Sequence, residues 1–223
     1  MTGWVMATLW GGFVGLDATS FPQAMISRPL VSASVTGALL GRPLDGLVIG
    51  FILEAFTLLV LPIGAVRYPE SGTAGVAATA AVVAVGPPGL DPGTVALAVT
   101  FALGWEWVGG ETVVWLRRQN GRMLVRVEGR SAGDLERRHL GAMGLDFLRG
   151  LMVTVVGGVL AAGLLALAAP AWGPDPGTTW AVLAVVTAAM TGTAVPLHGG
   201  IRARHRVLAA GLVVGVALGL LVP

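Results

Sequence analysis

The sequence predicts an all-α integral membrane protein: a multi-helix bundle with short re-entrant or discontinuous helical hairpins and inverted repeat elements. Three observations carry this. Of 223 residues, 55% belong to the hydrophobic set and only 12% are charged, with a mean hydropathy of +0.81, far more apolar than a soluble domain of this length. The apolar residues fall in run after run without a polar face, more than a soluble core could cover. Finally, 34 glycines and 13 prolines break several runs below the roughly 20 residues a spanning helix needs. Irregular backbone at membrane depth has to be satisfied by neighbouring protein or line a cavity.

The first run, residues 3–16, follows no basic n-region and leads to no small-residue cleavage site, so it reads as retained structure and not as a signal peptide. The second and third, 30–41 and 46–66, are short and broken. Pro29 suits a first helical position, and Pro62 with Gly64 opens the hydrogen-bond ladder inside the third. The fourth, 73–88, is also short. Runs 94–116, 145–170 and 178–197 are full spans, and 207–223 is the last. GLDPGT at 89–94 and GPDPGT at 173–178 each precede a span; Asp as N-cap followed by Pro accounts for both locally, and a weak internal repeat is the alternative.

All fourteen basic residues are arginine. Residues 117–138 hold seven of them and residues 202–206 three, so both segments are expected on the cytoplasmic side. Two spans separate them and the loops PPGLDPG and AWGPDPG carry no basic residue, so four loops agree on one topology. The segment 117–140 also alternates apolar and basic residues, which suits an interfacial linker helix with its arginines snorkelling to phosphates. The expected organisation is therefore an N-terminal membrane half, 1–116, a linker, 117–140, and a C-terminal membrane half, 141–223. The arginines sit at membrane-loop positions, so no nucleic acid is expected as a partner. With no cysteine there is neither a disulfide frame nor a thiolate metal site.

An ionised side chain inside a bilayer is costly and faces a cavity, a partner or a pathway. Glu54, within GFILEAFTLLVLPIGAVRYPESG, is the leading case: a carboxylate beside backbone opened at Pro62 and Gly64 can accept hydrogen bonds from adjacent sugar hydroxyls. The alternative is a structural carboxylate paired with an arginine such as Arg28. Gln23, Asp17 and Glu70 stand at the ends of the same runs, where each is either a cap or a cavity group. Glu106 and Glu111 lie among Trp105, Trp107 and Trp115, as in an interfacial aromatic belt. His198 and His205 adjoin the last arginine cluster. No phosphate loop, nucleophile elbow, HExxH or carboxylate cluster with metal spacing is present, so no cofactor, metal or catalytic residue is expected.

ISRPLVSASVTGALLGRPLDGLVIGFILEAFTLLVLPIGAVRYPESG, residues 26–72, resembles the signature region of the enzyme IIC permease subunit of the mannose/fructose/sorbose family of the bacterial phosphotransferase system. A basic-Pro-Leu start, a GxxLGxxxxGLxIG stretch, an acidic residue after a leucine and a PIGA segment follow one another at the family's spacing. Fainter likeness continues in HLGAMGLDFLR, where Arg149 stands ten residues after His139. The resemblance implies a IIC membrane fold that binds a sugar and passes it across the cytoplasmic membrane. It also implies a IID membrane subunit, soluble IIA and IIB phosphocarriers that do the phosphoryl transfer, and a larger oligomer in the lipid bilayer. It implies substrate-binding roles for Glu54, Arg28, Pro62, Gly64 and Glu70, and Gln23 is expected beside them as a cavity group from its place at the end of a run. Ser27, Pro62 and Arg67-Tyr68 depart from mannose-type members, which puts mannose itself in doubt. Two alternatives stay open: a proton-coupled secondary transporter with Glu54 as carrier, and a IIC-like regulatory or scaffold protein.

Overall fold

The computed structural model describes residues 1–60, 68–124 and 132–221. Every element within them is helical: α1 (Thr2–Thr19), α2 (Pro29–Leu39), α3 (Pro43–Thr57), α4 (Ser71–Val85), α5 (Pro92–Leu124), α6 (Ala132–Ala168), α7 (Pro176–Leu197) and α8 (Gly200–Leu221). A 3₁₀ turn, Ala169–Ala171, extends α6. Helices α2, α3, α5 and α7 each begin at a proline, whose fixed φ and missing N–H suit the first helical position. The two Asp-Pro loops are helix caps. Asp91 Oδ2 accepts from Thr94 N at 2.8 Å and Thr94 Oγ1 at 2.5 Å, and Asp175 accepts from Thr178 N at 3.0 Å and Thr178 Oγ1 at 2.5 Å. The Thr178 hydroxyl holds the Asp175 carboxyl below its ordinary pKa. Capping thus accounts for the likeness of the two loops.

Helix α4 is the centre. Built from Ala, Gly, Thr and Val, it is buried on nearly all sides and packs against α1, α2, α3, α5 and α6; small side chains let five neighbours approach one axis. The apolar core runs through Ile49 and Leu53 of α3, Ala78 and Val82 of α4, Val95 and Ala102 of α5 and Leu165 of α6, all buried. Helices α2 and α3 form a hairpin whose turn passes through Gly41 at φ +81°. Within it Gly46 leaves no room for a side chain: a Cβ there would lie 3.0 Å from Gly37 Cα and against the Ala33 carbonyl. At 11, 15 and 15 residues, α2, α3 and α4 are about 16–23 Å long, shorter than the roughly 30 Å hydrocarbon layer.

Two helical stretches, Gly133–Ala171 and Pro176–Leu197, are long and apolar enough to cross a membrane. Large apolar side chains such as Val159, Leu167, Val185 and Leu212 are exposed on α6, α7 and α8. In water this would be an association liability; against lipid it is the expected surface. The described flanks of the arginine-rich segment are not a separate helix: residues 117–124 continue α5 and 132–138 open α6, while 125–131 lie outside the described residues.

Candidate functional site

A group of interior polar residues gathers at one level, where α2 and α4 begin and α3 ends; a separate pair, Arg42 with the buried Asp45, lies at the start of α3. Arg149 is the hub of the group. From α6 its Nη1 donates to Glu70 Oε2 at 2.6 Å and its Nη2 to Glu70 Oε1 at 2.9 Å, a bidentate pair. Arg149 Nε donates to Asp146 Oδ1 at 2.9 Å, Nη2 to the Gly15 carbonyl at 3.1 Å and Nη1 to Thr112 Oγ1 at 3.2 Å. Asp146 in turn accepts from Ser20 Oγ at 2.5 Å and from the Thr19 hydroxyl. Glu70, Asp146 and Arg149 are 2%, 1% and 8% exposed. A charge cluster this deep persists only when its members satisfy one another. It ties α1, α5 and α6 to the start of α4.

Backbone makes the hub possible. Gly15 and Gly150 meet where α1 crosses α6, and a Cβ on Gly150 would lie 2.8 Å from Gly15 Cα. Only glycine lets Arg149 reach the Gly15 carbonyl at this separation. On the other side, Glu70 N donates to the Glu106 carbonyl at 2.8 Å, fixing the turn before α4 on α5.

The second ion pair is Arg28 with Glu54. Arg28 Nε donates to Glu54 Oε1 at 2.7 Å, and Nη2 contacts the same oxygen. The other oxygen, Oε2, accepts from Leu30 N at 3.2 Å. Glu54 therefore caps α2 from a neighbouring helix while it aims Arg28, and its carboxylate complements the positive end of α2. Asp17 holds the preceding loop, accepting from Ala24 N at 2.6 Å and Ser27 N at 2.9 Å.

Between these two pairs lies a cavity of about 160 Å³, walled by Ala18, Ser27, Arg28, Thr57, Tyr68 and Glu70 among others. It is smaller than the roughly 300–1,000 Å³ of drug-sized pockets and suits a small polar molecule. Its walls include the hydroxyl-bearing Ser27, Thr57 and Ser71, a phenol, a guanidinium fork and a carboxylate already neutralised by Arg149. Each carboxylate oxygen bonded to Arg149 keeps a lone pair for another donor.

The expected site residues thus divide. Arg28 and Glu70 line the cavity, and Glu54 stands behind Arg28 without lining it. Gln23 is exposed on the loop between α1 and α2, at φ +58°, and is not among the lining residues. Pro62 and Gly64 lie outside the described residues. Sequence reasoning passed over Tyr68, Thr57, Asp146 and Arg149 as site groups. The signal for the last two was present: an Asp and an Arg three apart in an apolar helix are one intramembrane pair by the same rule that singled out Glu54. The aromatic belt is only partial. Trp107 and Trp115 are exposed, but Trp105 packs on α6, its Nε1 donating to the Val153 carbonyl at 3.1 Å, and Glu106 is buried.

Comparison with known proteins bears on what such a site serves. The family model of the sorbose-specific IIC component of the phosphotransferase system matches residues 1–165, a span that contains the hairpin, both ion pairs and the cavity. A sorbose-specific EIIC component from Lacticaseibacillus casei is 31% identical over 79 residues, which are 35% of this chain and 28% of that relative. The chain thus matches under a third of the length of this curated relative. The family match covers most of the chain, including every element that builds the polar cluster, and the chain belongs to the family of phosphotransferase-system sorbose-type IIC components.

Proposed function

We propose that the protein is the sugar-translocating IIC subunit of a mannose/fructose/sorbose-type phosphotransferase system, multi-pass in the cytoplasmic membrane, with the cavity beside Arg28 and Glu70 as its sugar site. One observation carries the reading: an otherwise apolar helical chain keeps hydroxyls, a guanidinium and a carboxylate converging on a cavity of about 160 Å³. Ring hydroxyls donate and accept at once, and they are recognised by this mixture of fixed acceptors and forked donors.

In this reading Arg28 and Glu70 contact the sugar, Ser27 and Thr57 add hydroxyls, and Glu54 holds Arg28 in place. Pro62 and Gly64 belong to the same hairpin, and Gln23 serves at the loop that covers it. The short helices α2, α3 and α4 are re-entrant elements that end at the sugar's depth. A IID membrane subunit completes the translocation path, IIB phosphorylates the sugar on the arginine-bearing side, and IIA feeds IIB. The chain supplies no phosphorylated residue of its own. Proton-coupled transport with Glu54 as carrier is disfavoured, because both Glu54 oxygens are already engaged, Oε1 by Arg28 and Oε2 by Leu30 N.

The test is sugar uptake in cells carrying the chain with its IIA, IIB and IID partners. Phosphoenolpyruvate-dependent uptake that falls at least about tenfold with Arg28→Gln, a loss equivalent to about 1.4 kcal/mol, supports the reading. Uptake driven by a pH gradient without soluble partners would overturn it.

A further inference from the structure

Tyr68 occupies a position the hub does not explain. It lines the cavity, and its hydroxyl donates to the carbonyl of Ala18, which lines it too, at 3.1 Å. The phenol therefore joins two lining residues, one just before α4 and one at the end of α1. Beyond it, exposed on α5, Arg117 donates from Nη2 to the same hydroxyl at 3.2 Å and places its guanidinium carbon 5.4 Å from the ring centroid. Gly110 lies against the Tyr68 carbonyl with no space for a Cβ. Seven residues separate Gly110 from Arg117, two helical turns, so the Tyr68 backbone is fixed while its side chain reaches toward the arginine-bearing end of α5.

We propose that Tyr68 and Arg117 form the gate of the cavity on the arginine-bearing side, with the phenol as the bar and the guanidinium as its latch. Such a gate needs contacts that are specific but individually weak. A hydrogen bond to one backbone carbonyl and a stacked, water-exposed guanidinium meet that need. Rotation of one side chain about χ1 and χ2 opens it, without moving any helix. The hub around Arg149 stays buried and intact, because the Tyr68 hydroxyl bonds to the Ala18 carbonyl and to Arg117 and not through the hub.

The purpose of the gate rests on the transport reading above, but its existence is tested without sugar or phosphoenolpyruvate. The chain has no cysteine, so Ser27→Cys places a single thiol in the cavity wall. Inside-out membrane vesicles expose the arginine-bearing face to a charged, membrane-impermeant methanethiosulfonate, and the labelling rate is measured. Adding Tyr68→Phe, which keeps the ring and removes the hydroxyl, or Arg117→Gln raises the rate roughly two- to tenfold, the factor that loss of one such hydrogen bond allows. Arg117→Lys, which keeps the charge and loses the stacked fork, gives an intermediate rate. Unchanged rates in both Tyr68→Phe and Arg117→Gln overturn the proposal. So does a Ser27→Cys thiol that, with the gate intact, labels as fast as Gly121→Cys at the exposed end of α5. A rise with Tyr68→Phe alone removes Arg117 from the gate and overturns the pair. Failure here leaves the sugar reading standing, and failed uptake leaves the gate standing.

Discussion

Arg149 lies across the carboxylate of Glu70 with both contacts below 3 Å, 2.6 Å and 2.9 Å, although 79 residues separate them in sequence. This pair joins α6, a long apolar helix with an arginine in its interior, to the start of the central helix. Removing one partner strands a buried charge, so Glu70→Ala or Arg149→Leu alone should destabilise the protein by about 3–5 kcal/mol. The double variant should cost less than the two singles together, with a coupling of roughly 0.5–3 kcal/mol. Thermal unfolding of the detergent-solubilised protein checks this, and strictly additive losses would sink the idea that the two act as a unit.

Glu54 and Arg28 are expected to separate in their effects on transport. Arg28→Gln removes a group from the cavity wall and leaves Glu54 uncompensated, so uptake should fall at least about tenfold. Glu54→Gln keeps one oxygen to accept from Arg28 and loses the second, which accepts from Leu30 N; Arg28 itself stays in the cavity wall, so uptake should fall less than with Arg28→Gln. Equal uptake in the wild type and Arg28→Gln would remove Arg28 from the site.

The crossing of α1 and α6 is set by Gly15 and Gly150. A methyl group at Gly150 would sit 2.8 Å from Gly15 Cα, 3.0 Å from the Gly11 carbonyl oxygen and 3.2 Å from that of Gly12, all backbone that cannot rotate away. Gly150→Ala should therefore cost about 1–3 kcal/mol through overpacking and weaken the Arg149 contact to the Gly15 carbonyl. The check is the unfolding midpoint against that of Gly121→Ala, whose added methyl meets open space; equal midpoints would refute the argument.

Asp91 caps α5 through two donors of Thr94. Asp91→Ala should cost about 1 kcal/mol, a shift of roughly 2–4 °C for a chain of this size, and Asp91→Asn should retain most of the cap. The equivalent change at Asp175 should be smaller, because that cap is fully solvated.

Much of the fold was legible because bilayer physics writes it into one dimension. The runs at 94–116, 145–170 and 178–197 became α5, α6 and α7 within a few residues at most ends, since apolar length, Asp caps and first-position prolines are local signals. The short runs likewise became α1 to α4 and α8, although α3 ends at Thr57 and residues 61–66 of its run lie outside the described residues. The linker was less legible: apolar and basic residues alternate from 117 onward, but α5 runs on to Leu124 and α6 already begins at Ala132. Helix propagation adds a hydrogen bond per residue once a turn exists, and the helices carry past the apolar boundary.

The site was legible only in its members, not in its pairings. Glu54 stood out as a charge in an apolar run, and the pairing with Arg28, one of the two readings the residues allowed, is the one observed. That Glu70 is locked to Arg149 and that the Tyr68 hydroxyl reaches the Ala18 carbonyl depend on contacts across 50 to 79 residues. The sequence by itself determined an apolar helical chain, its helix starts and the small set of charges that had to be neutralised, because burial and capping are decided locally. Tertiary structure alone decided which charge neutralises which, because that depends on where glycines let helices cross and on which carboxylate each arginine can then reach.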